Sequence, residues 1–563
     1  MSVQVAQDSF TRSAGKQLLV YGLLSILGVI VLMLGLSWAS GQTGTATGTG
    51  QAVDPATNTI SILMAEEPPQ LNSTLATDTI SGMVLGHIME GLLTYDQHNR
   101  LAPGIAETWE IGEYRAVFNL RRSALWSDGK PVTAHDFVFA WRKTLDPEIA
   151  SQYAFIMYPI KNAEAINKGE MPGTDLGVRA IDDYTLEVDL ERPIAYFDKL
   201  VAFSTYLPMR EDFFNSTSGK YAADADMMLF NGPFRLTTWV HGARLRFEKN
   251  QTYWRRDEVR LDAIDVPYIT TDTNAPLNLF KDNKVAYTSL TAENLQNALE
   301  RRWHLNRFQD GSVSFIEFNH RPDRLTNNIH LRKAMQMAQD SSELVYKVTK
   351  LPGYLPGESL FPVWLRGVND FFRVEYPAPV VKLNLEEARR HLELAKADLN
   401  LKEFPPLVLL TGDNPISNIL AEYFQGVFKK NLGLDMKIDK QIFKQRLAKM
   451  ASGEFDLVLA GWGPDFDDPL TFGDLFASWN LNNRGRYDSP ALDAQVRIAQ
   501  NSVDPKTRMD AFGEIQRILI EDAVILPSYE RGVVYVTHPH LKGLVRRAVG
   551  ADPNFVYAWI DTQ

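Results

Sequence analysis

The sequence predicts a mixed α/β protein that is preceded by one membrane-spanning helix. Strand and helix patterns alternate in the C-terminal half, which is typical of a parallel sheet covered by helices. Residues 18–38 carry no charge, and a helix of this length would span about 31 Å, close to the thickness of the hydrocarbon layer. The whole chain of 563 residues is 45% hydrophobic and 23% charged, which is the composition of an ordinary globular protein.

Flanking charges predict the orientation of the apolar stretch. Arg12 and Lys16 precede it, and no Lys or Arg follows it before Arg100. The positive-inside rule therefore places residues 1–17 in the cytoplasm and exports the rest of the chain. The sequence Ser-Trp-Ala near its end would suit a signal peptidase, so cleavage stays open, although the length of the stretch favours an uncleaved anchor. Residues 39–56 are rich in Gly and Thr and are predicted to form a flexible linker.

The exported part is predicted to begin near residue 57 and to mix short strands with helices. No pattern of fixed period recurs, so a solenoid or a propeller is not expected. In the first part, alternating or β-branched runs between turn-forming residues predict half-buried strands. These runs are 59–64, 114–120, 184–190, 244–248 and 313–318.

Further along, three strand patterns alternate with two helical ones in a β-α-β-α-β series. Two more helices follow, and each has a proline in its first turn after a capping residue, Ser489 or Asp504. The series consists of 407–410, 416–430, 434–438, 443–450 and 455–460, and the two later helices are 490–501 and 505–521.

An acidic turn, residues 461–469, follows the last strand of this series. It reads Gly-Trp-Gly-Pro-Asp-Phe-Asp-Asp-Pro, with carboxylates at Asp465, Asp467 and Asp468. Ligands of open parallel sheets usually bind beyond the carboxyl ends of the strands, so this turn is the first candidate site. The alternative is a tight turn with a core tryptophan and surface aspartates.

Composition and motifs exclude several classes of function. The net charge of −11 without a dominant basic run makes nucleic acid an unexpected partner. The absence of cysteine excludes disulfides, iron–sulfur clusters and Cys-based zinc sites. No nucleotide, metalloprotease or esterase motif is present, and His538 and His540 are more typical of a surface loop than of a metal pair, so we expect neither a cofactor nor a metal. A glycoside hydrolase that uses a carboxylate pair of the acidic turn is an alternative, but adjacent aspartates point in divergent directions.

One long block, residues 126–137, mixes aromatic, turn-forming and charged residues and reads Trp-Ser-Asp-Gly-Lys-Pro-Val-Thr-Ala-His-Asp-Phe. Together with the segments 90–93, 101–109, 118–121, 175–188, 231–234 and 250–254, this block resembles the peptide-binding proteins of ABC importers, the oligopeptide- and dipeptide-binding type of solute-binding protein family 5. The block is the most specific part of the likeness, which covers nearly the whole exported chain.

This resemblance implies a two-lobed periplasmic-binding-protein fold of the class II type with three domains. Lobe I would combine a core domain with an extra domain, residues 89–211, and lobe II would be residues 307–530. The core domain would be formed by 57–88, 212–306 and 531–563. A protein of this kind captures a peptide between the lobes, closes over it and delivers it unchanged to ABC permease subunits. The resemblance thus implies a monomeric, non-enzymatic protein in the periplasm, anchored to the inner membrane by the N-terminal helix.

The resemblance also implies ligand-binding residues. In the family pattern Gly-Trp-x-x-Asp, the aspartate meets the α-ammonium of the peptide, and Asp465 stands at that position. A desolvated ammonium needs such a carboxylate, and removal of one partner of a buried pair costs about 3–5 kcal/mol. Aromatic residues match cleft-lining positions, although ordinary core packing is an alternative for each. The other implied contacts are Trp462, Tyr153, Phe443, Tyr529, Asn231, Gly232 and the extended stretch Thr77, Asp78 and Thr79, whose main chain would pair with the peptide backbone.

The chain departs from the family at the positions that carry cations for the ligand's carboxylate. Ser417, Met450 and Leu459 stand there instead. Either another cation, such as Lys444 or Arg486, takes this role, or the ligand is longer, or it has no free carboxylate. Alternatives of the same fold are a receptor for a non-peptide solute, such as a nickel chelate, haem or a sugar oligomer, and a sensor without a role in import.

Overall fold

The computed structural model describes residues 50–272, 274–351 and 353–562. The strands in these ranges are β1 (Val53–Asp54), β2 (Thr59–Met64), β3 (Leu93–Tyr95), β4 (Leu101–Pro103), β5 (Ala106–Ile111), β6 (Arg115–Leu120), β7 (Val178–Asp182), β8 (Thr185–Asp189), β9 (Phe234–Val240), β10 (Arg244–Lys249), β11 (Ala263–Ile269), β12 (Tyr287–Ser289), β13 (Asn306–Phe318), β14 (Leu355–Pro356), β15 (Leu407–Gly412), β16 (Met436–Gln441), β17 (Leu457–Trp462), β18 (Ile525–Thr537), β19 (Leu541–Lys542) and β20 (Trp559–Ile560).

The longer α-helices of the described residues are α1 (Thr79–Ile88), α2 (Ala134–Leu145), α3 (Ala292–Glu300), α4 (Ile329–Met337), α5 (Leu385–Asp398), α6 (Pro415–Leu432), α7 (Phe443–Ser452), α8 (Pro490–Asn501) and α9 (Pro505–Glu521). Shorter α-helices are Ala163–Asn167, Phe197–Leu200, Glu211–Ser216, Ala275–Lys281, Ser341–Glu343, Phe372–Glu375 and Leu470–Gly473, and Leu344–Thr349 is a π-helix. Single turns of 3-10 helix are Ala154–Met157, Gly173–Asp175, Ser204–Tyr206, Ala225–Met227, Arg256–Glu258 and Leu325–Asn327.

A five-stranded sheet of order β1-β2-β11-β10-β9 forms the first part of the fold. Strands β2 and β11 are parallel although about 200 residues separate them, and the other neighbours are antiparallel. Helix α1 packs against β9. The chain therefore leaves this sheet after β2 and returns to it with β9.

The chain between β2 and β9 contains a four-stranded antiparallel sheet of order β5-β6-β8-β7. Helix α2 packs against β7. The distinctive block 126–137 ends in the first turn of α2. Its Asp136 accepts hydrogen bonds from Trp126 Nε1 (3.0 Å) and from the backbone N of Thr133 (2.9 Å). The block therefore holds the start of α2 in place. We call the part of the fold built on the five- and four-stranded sheets lobe I.

Lobe II is built on a seven-stranded mixed sheet of order β12-β18-β13-β17-β15-β16, in which β14 pairs with β18. Strand β15 is parallel to both β16 and β17, whereas β13 is antiparallel to β17 and β18. The carboxyl ends of β15, β16 and β17 consequently lie at one edge of the sheet. Helices α4, α5 and α6 cover this sheet with a core of Leu, Phe, Met and Ala side chains.

The predicted elements of the C-terminal half are confirmed. The β-α-β-α-β series is β15, α6, β16, α7 and β17, each within a few residues of its predicted bounds. Helices α8 and α9 have the predicted ends and caps, since Ser489 Oγ accepts from Leu492 N (3.3 Å) and Asp504 Oδ2 from Thr507 N (2.8 Å). The five predicted strands of the first part are β2, β6, β8, β10 and the end of β13.

Some predicted boundaries differ from the structure. The linker prediction, 39–56, ends too late, because Ala52 and Val53 are buried and β1 pairs with β2. The domain boundaries 306/307 and 530/531 fall near the start of β13 and inside β18, two strands of 13 residues each that pair along most of their length. The predicted membrane helix 18–38 lies outside the described residues, and within them no helix is long and apolar enough to cross a bilayer.

Candidate ligand-binding site

Asp465 lies three residues beyond the end of β17 and has no cationic partner among the described residues. The Tyr153 hydroxyl hydrogen-bonds its carboxyl group, and the Asp465 backbone N donates to Thr471 Oγ1 (2.8 Å). Burial raises the pKa of Asp465 to about 8, and the hydrogen bond from Tyr153 opposes this shift only in part. At neutral pH the ligand-free protein therefore holds a largely protonated acid that can be ionised by an incoming cation.

The other two carboxylates of the acidic turn have different roles. Asp468 is buried and forms a bidentate ion pair with Arg508, with distances of 2.6 Å and 2.9 Å. Asp467 is exposed. Of the three carboxyl groups of the acidic turn, only that of Asp465 is both desolvated and without a cationic partner among the described residues.

Two aromatic residues predicted from the sequence lie beside Asp465. The ring of Tyr153 is 6.3 Å from that of Trp462 and 5.2 Å from that of Phe203, in edge-on arrangements. Trp462 is the last residue of β17, and its Nε1 is buried without a hydrogen-bond partner among the described residues. The structure therefore brings Asp465, Tyr153 and Trp462 together and leaves one indole donor unsatisfied at the site.

A direct contact between the lobes lies next to this group. Arg484 of lobe II is buried and donates to Gln152 Oε1 of lobe I (3.0 Å) and to Asn482 Oδ1 (2.9 Å). Gln152 is adjacent in sequence to Tyr153. Two successive residues of lobe I, Gln152 and Tyr153, thus bond to Arg484 and Asp465 of lobe II.

The ends of the three parallel strands carry further polar and aromatic residues. Asp413 follows β15, Phe443 follows β16 at the start of α7, and Asp465 follows β17. Neighbouring strands are about 4.8 Å apart, so Phe443 and Asp465 leave the sheet about 10 Å from each other. The order of the strands therefore spreads the predicted site residues along one edge rather than around one point.

Arg446, which the sequence did not single out, lies on α7 one turn after Phe443. Its Nη1 donates to the Leu459 carbonyl (3.3 Å), and its guanidinium lies 5.3 Å from the centre of the Phe443 ring. Glu66, Tyr529 and Asp413 are its charged or ionisable neighbours, and burial lowers its pKa. Burial likewise raises the pKa of Glu66, which the charge of Arg446 counteracts. Arg446 thus lies beside Phe443, within reach of the charges of Glu66, Asp413 and Tyr529.

The family model of bacterial extracellular solute-binding proteins, family 5, matches residues 100–483. The chain belongs to this family. It is 30% identical to a dipeptide-binding protein, DppE, of Bacillus subtilis (strain 168), over 94% of this chain and 97% of the relative. Two solved structures cover 90% of this chain and 99% of their own: the substrate-binding domain of an oligopeptide ABC transporter from Bacillus anthracis str. Ames (33% identity, TM-score 0.85) and the Listeria monocytogenes protein OppA bound to peptide (30%, 0.84).

The three residues at the predicted cation positions have other surroundings in the structure. Met450 and Leu459 are buried in the core of lobe II, and the Ser417 backbone N is bound by the Asn414 side chain. Lys444 and Arg486, the replacements suggested by the sequence, are exposed. Arg446 lies on α7 one helical turn before Met450.

Two of the predicted ligand contacts have a structural role in this family 5 protein. Asn231 is buried, and its side chain bonds both to Glu90 N (3.0 Å) and to the Glu90 carbonyl (2.8 Å). A Cβ on Gly232 would lie 2.5 Å from Met89 N and 2.6 Å from Ile88 C. Asn231 and Gly232 therefore have roles within lobe I, where the amide bonds both backbone groups of Glu90 and the glycine allows a close backbone approach, and their contact with ligand stays a prediction.

The segment predicted to be extended, Thr77 to Thr79, is extended only in part. Asp78 has extended φ and ψ angles (−127°, 154°), but it is the N-cap of α1, and Thr79 is the first residue of that helix. The Asp78 side chain accepts from Ser81 N (2.8 Å) and Ser81 Oγ (2.7 Å). Thr79 therefore cannot belong to a strand-like stretch, although its Cγ2 lies 3.6 Å from the position that a Cβ on Gly463 would take.

Proposed function

We propose that this protein captures peptides between its two lobes and delivers them to an ABC importer. Asp465 carries the proposal, because a desolvated carboxyl group without a cation suits the α-ammonium group of a peptide. The Listeria relative with a bound peptide and the dipeptide-binding relative from Bacillus support this ligand class. Tyr153 and Trp462 would line the first residue of the peptide, and Phe443 and Tyr529 would contact residues further along.

The same proposal includes the cellular arrangement expected from the sequence. Residues 18–38 would hold the protein at the outer face of the inner membrane, and the residues up to about 50 would tether the lobes within roughly 20 Å of it. Lobe I would contain residues 89–211 as its extra domain. The protein would act as a monomer, with permease subunits of the importer as its membrane partners and no covalent change to the ligand.

Thermal shift and calorimetry with matched peptides test this function. Tetra-alanine with a free amino group should stabilise the protein, and N-acetyl-tetra-alanine should do so far less, because only the former supplies an ammonium group for Asp465. The variant Asp465→Asn should lose most of this response. Asp467→Asn, two residues away and exposed, is the matched control and should respond as the wild type does.

Two results of these measurements would contradict the proposal. Equal stabilisation by the free and the acetylated peptide would reject Asp465 as the ammonium partner. If no peptide of a panel stabilises the protein but a non-peptide solute does, the ligand class is that solute and not a peptide.

A further inference from the structure

We propose that a second cavity between the lobes binds a small zwitterion of the free α-amino acid class. The cavity measures about 270 Å³. Sites for small molecules usually measure roughly 300–1,000 Å³, so this volume suits a single amino acid better than a peptide of several residues. Asp465, Tyr153 and Trp462 are not among the described residues that line the cavity, so it is distinct from the site proposed for the ammonium group of a peptide.

Both lobes contribute aromatic walls to the cavity. Tyr196 of lobe I stacks on Phe466 of lobe II with ring centres 6.0 Å apart and an interplanar angle of 12°, and both side chains are buried. Trp479 of lobe II forms a further wall and is partly exposed. An amino acid with a large apolar side chain can bury it against these rings. A ligand in this place would therefore contact both lobes.

A buried carboxyl group lies in the lining of the cavity. Asp474 is only 6% exposed, and it forms no ion pair with a Lys or Arg of the described residues. The buried Arg508 forms its bidentate ion pair with Asp468 instead, at 2.6 Å and 2.9 Å. Burial raises the pKa of Asp474, and the charges of Asp465 and Asp468 raise it further. The ammonium group of a ligand would supply the counter-charge that this carboxyl group lacks.

Two arginines of the lining supply the opposite charge. Arg192 follows β8 in lobe I, and its Nε is buried without a hydrogen-bond partner among the described residues. Arg497, on α8 of lobe II, is exposed, and its guanidinium lies 4.4 Å from the centre of the Trp479 ring. Neither arginine forms an ion pair with a carboxylate of the part of the chain that the structure describes. Because a guanidinium binds a carboxylate through parallel hydrogen bonds, these groups suit the carboxylate of a ligand.

The other acids of the lining already have partners. Glu164 forms an ion pair with Lys168 (2.8 Å), and Glu191 Oε2 accepts a hydrogen bond from Asn162 N (3.1 Å). Asp474 and the two arginines thus line one cavity without pairing with these acids or with each other. A molecule that carries both charges can compensate the carboxyl group and a guanidinium together. A bare amine or a bare acid would compensate only one of them, and the group of its own sign would repel it.

Calorimetry with three related molecules tests the site. L-Phenylalanine carries both charges, phenethylamine lacks the carboxylate, and 3-phenylpropionate lacks the ammonium group. In the wild type, each single-charge analogue should bind at least about 30-fold more weakly than phenylalanine. In Asp474→Asn, phenylalanine should bind no better than 3-phenylpropionate, because the partner of its ammonium group is gone. In Arg192→Gln, it should bind no better than phenethylamine.

Two variants serve as matched controls. Asp467→Asn changes an exposed acid and Lys161→Gln an exposed cation, both outside the lining, and each should retain the wild-type preference. Phenylalanine should also bind to protein that is saturated with tetra-alanine. If Asp474→Asn or Arg192→Gln fails to fold, the comparison of the three molecules in the wild type still decides.

Four results would overturn the site. They are no binding of phenylalanine, equal affinities of the three molecules in the wild type, an unchanged preference in both Asp474→Asn and Arg192→Gln, and displacement of phenylalanine by tetra-alanine. None of them changes the response to N-acetylated peptides, so failure of this site and failure of the proposed function are distinguishable.

Discussion

The hydroxyl of Tyr153 donates a hydrogen bond to the carboxyl group of Asp465 and thereby joins lobe I to the turn that follows β17. This bond gives the carboxyl a neutral donor where a bound ligand would place a cation. Because a neutral donor compensates burial only weakly, the acid stays largely protonated in the ligand-free protein. Under the proposed function, ligand binding, protonation of Asp465 and contact between the lobes are therefore linked at one pair of residues.

The first prediction concerns protons released on binding. With a pKa of about 8, Asp465 is protonated at pH 6.5, and a peptide ammonium requires the ionised form. Binding at pH 6.5 should therefore release close to one proton, and affinity should rise by up to about tenfold per pH unit until pH 8. Calorimetry in buffers of different ionisation enthalpy measures this release. Asp467→Asn should release the same number, and the absence of any release at pH 6.5 would contradict the raised pKa.

The second prediction concerns stability without ligand. The folded state holds a proton on Asp465 up to about pH 8, whereas the unfolded chain loses it near the ordinary value of 3.8. Between these values the folded state binds more protons, so this group makes the protein less stable as pH rises. Asp465→Asn should remove the effect and raise the melting temperature by about 2 °C or more at pH 8, with little change near pH 4. A variant that is less stable than the wild type at both pH values would refute the assignment.

The third prediction separates Tyr153 from Asp465. Tyr153→Phe removes the hydroxyl but keeps the ring contacts with Trp462 and Phe203, so the fold should persist. Loss of one hydrogen bond to an ionised carboxylate costs roughly 1.5–3 kcal/mol, and peptide affinity should fall by about 10- to 150-fold, less than in Asp465→Asn.

A nearby tyrosine provides the control for this experiment. The Tyr158 hydroxyl bonds to Asn167 Oδ1 (2.9 Å) rather than to the acidic turn. Tyr158→Phe should therefore leave peptide affinity unchanged in the same titration. Equal losses in Tyr153→Phe and Tyr158→Phe would indicate a general effect on packing instead of a bond to Asp465.

Local rules predicted the elements of lobe II but only part of the site. The caps Ser489 and Asp504 and the strand before the acidic turn are set by nearby residues, so their patterns are visible in the sequence. The acidic turn could be predicted as a candidate site because it follows the carboxyl end of a parallel strand, and the resemblance singled out Asp465 within it. The position of Arg446 could not be predicted, since it depends on which face of α7 meets β17.

Contacts between residues far apart in sequence explain why the structural role of Asn231 was not predicted. The resemblance implied a ligand contact for Asn231, whereas its side chain bonds Glu90, which lies 141 positions earlier and is itself buried against Tyr253 and Trp254. A pairing of this kind becomes visible only when β9 is placed beside the end of α1. The pattern around Asp78 was ambiguous for a different reason, because an aspartate before a helix suits both a cap and a ligand contact.

The last prediction tests the structural role of Gly232 with a pair of glycine variants. A methyl group at position 232 would lie 2.5–2.6 Å from backbone atoms of Met89 and Ile88, which cannot move aside as a side chain could. Gly232→Ala should therefore lower the free energy of unfolding by about 1–3 kcal/mol or more. Gly82→Ala lies within α1, where nothing stands within 4 Å of the added methyl group, and it should stabilise the protein by roughly 0.5–1 kcal/mol. Denaturant unfolding measures both values, and peptide affinity of the folded fraction should be close to that of the wild type in each. A folded Gly232→Ala protein of normal stability that fails to bind peptide would support Gly232 as a ligand contact.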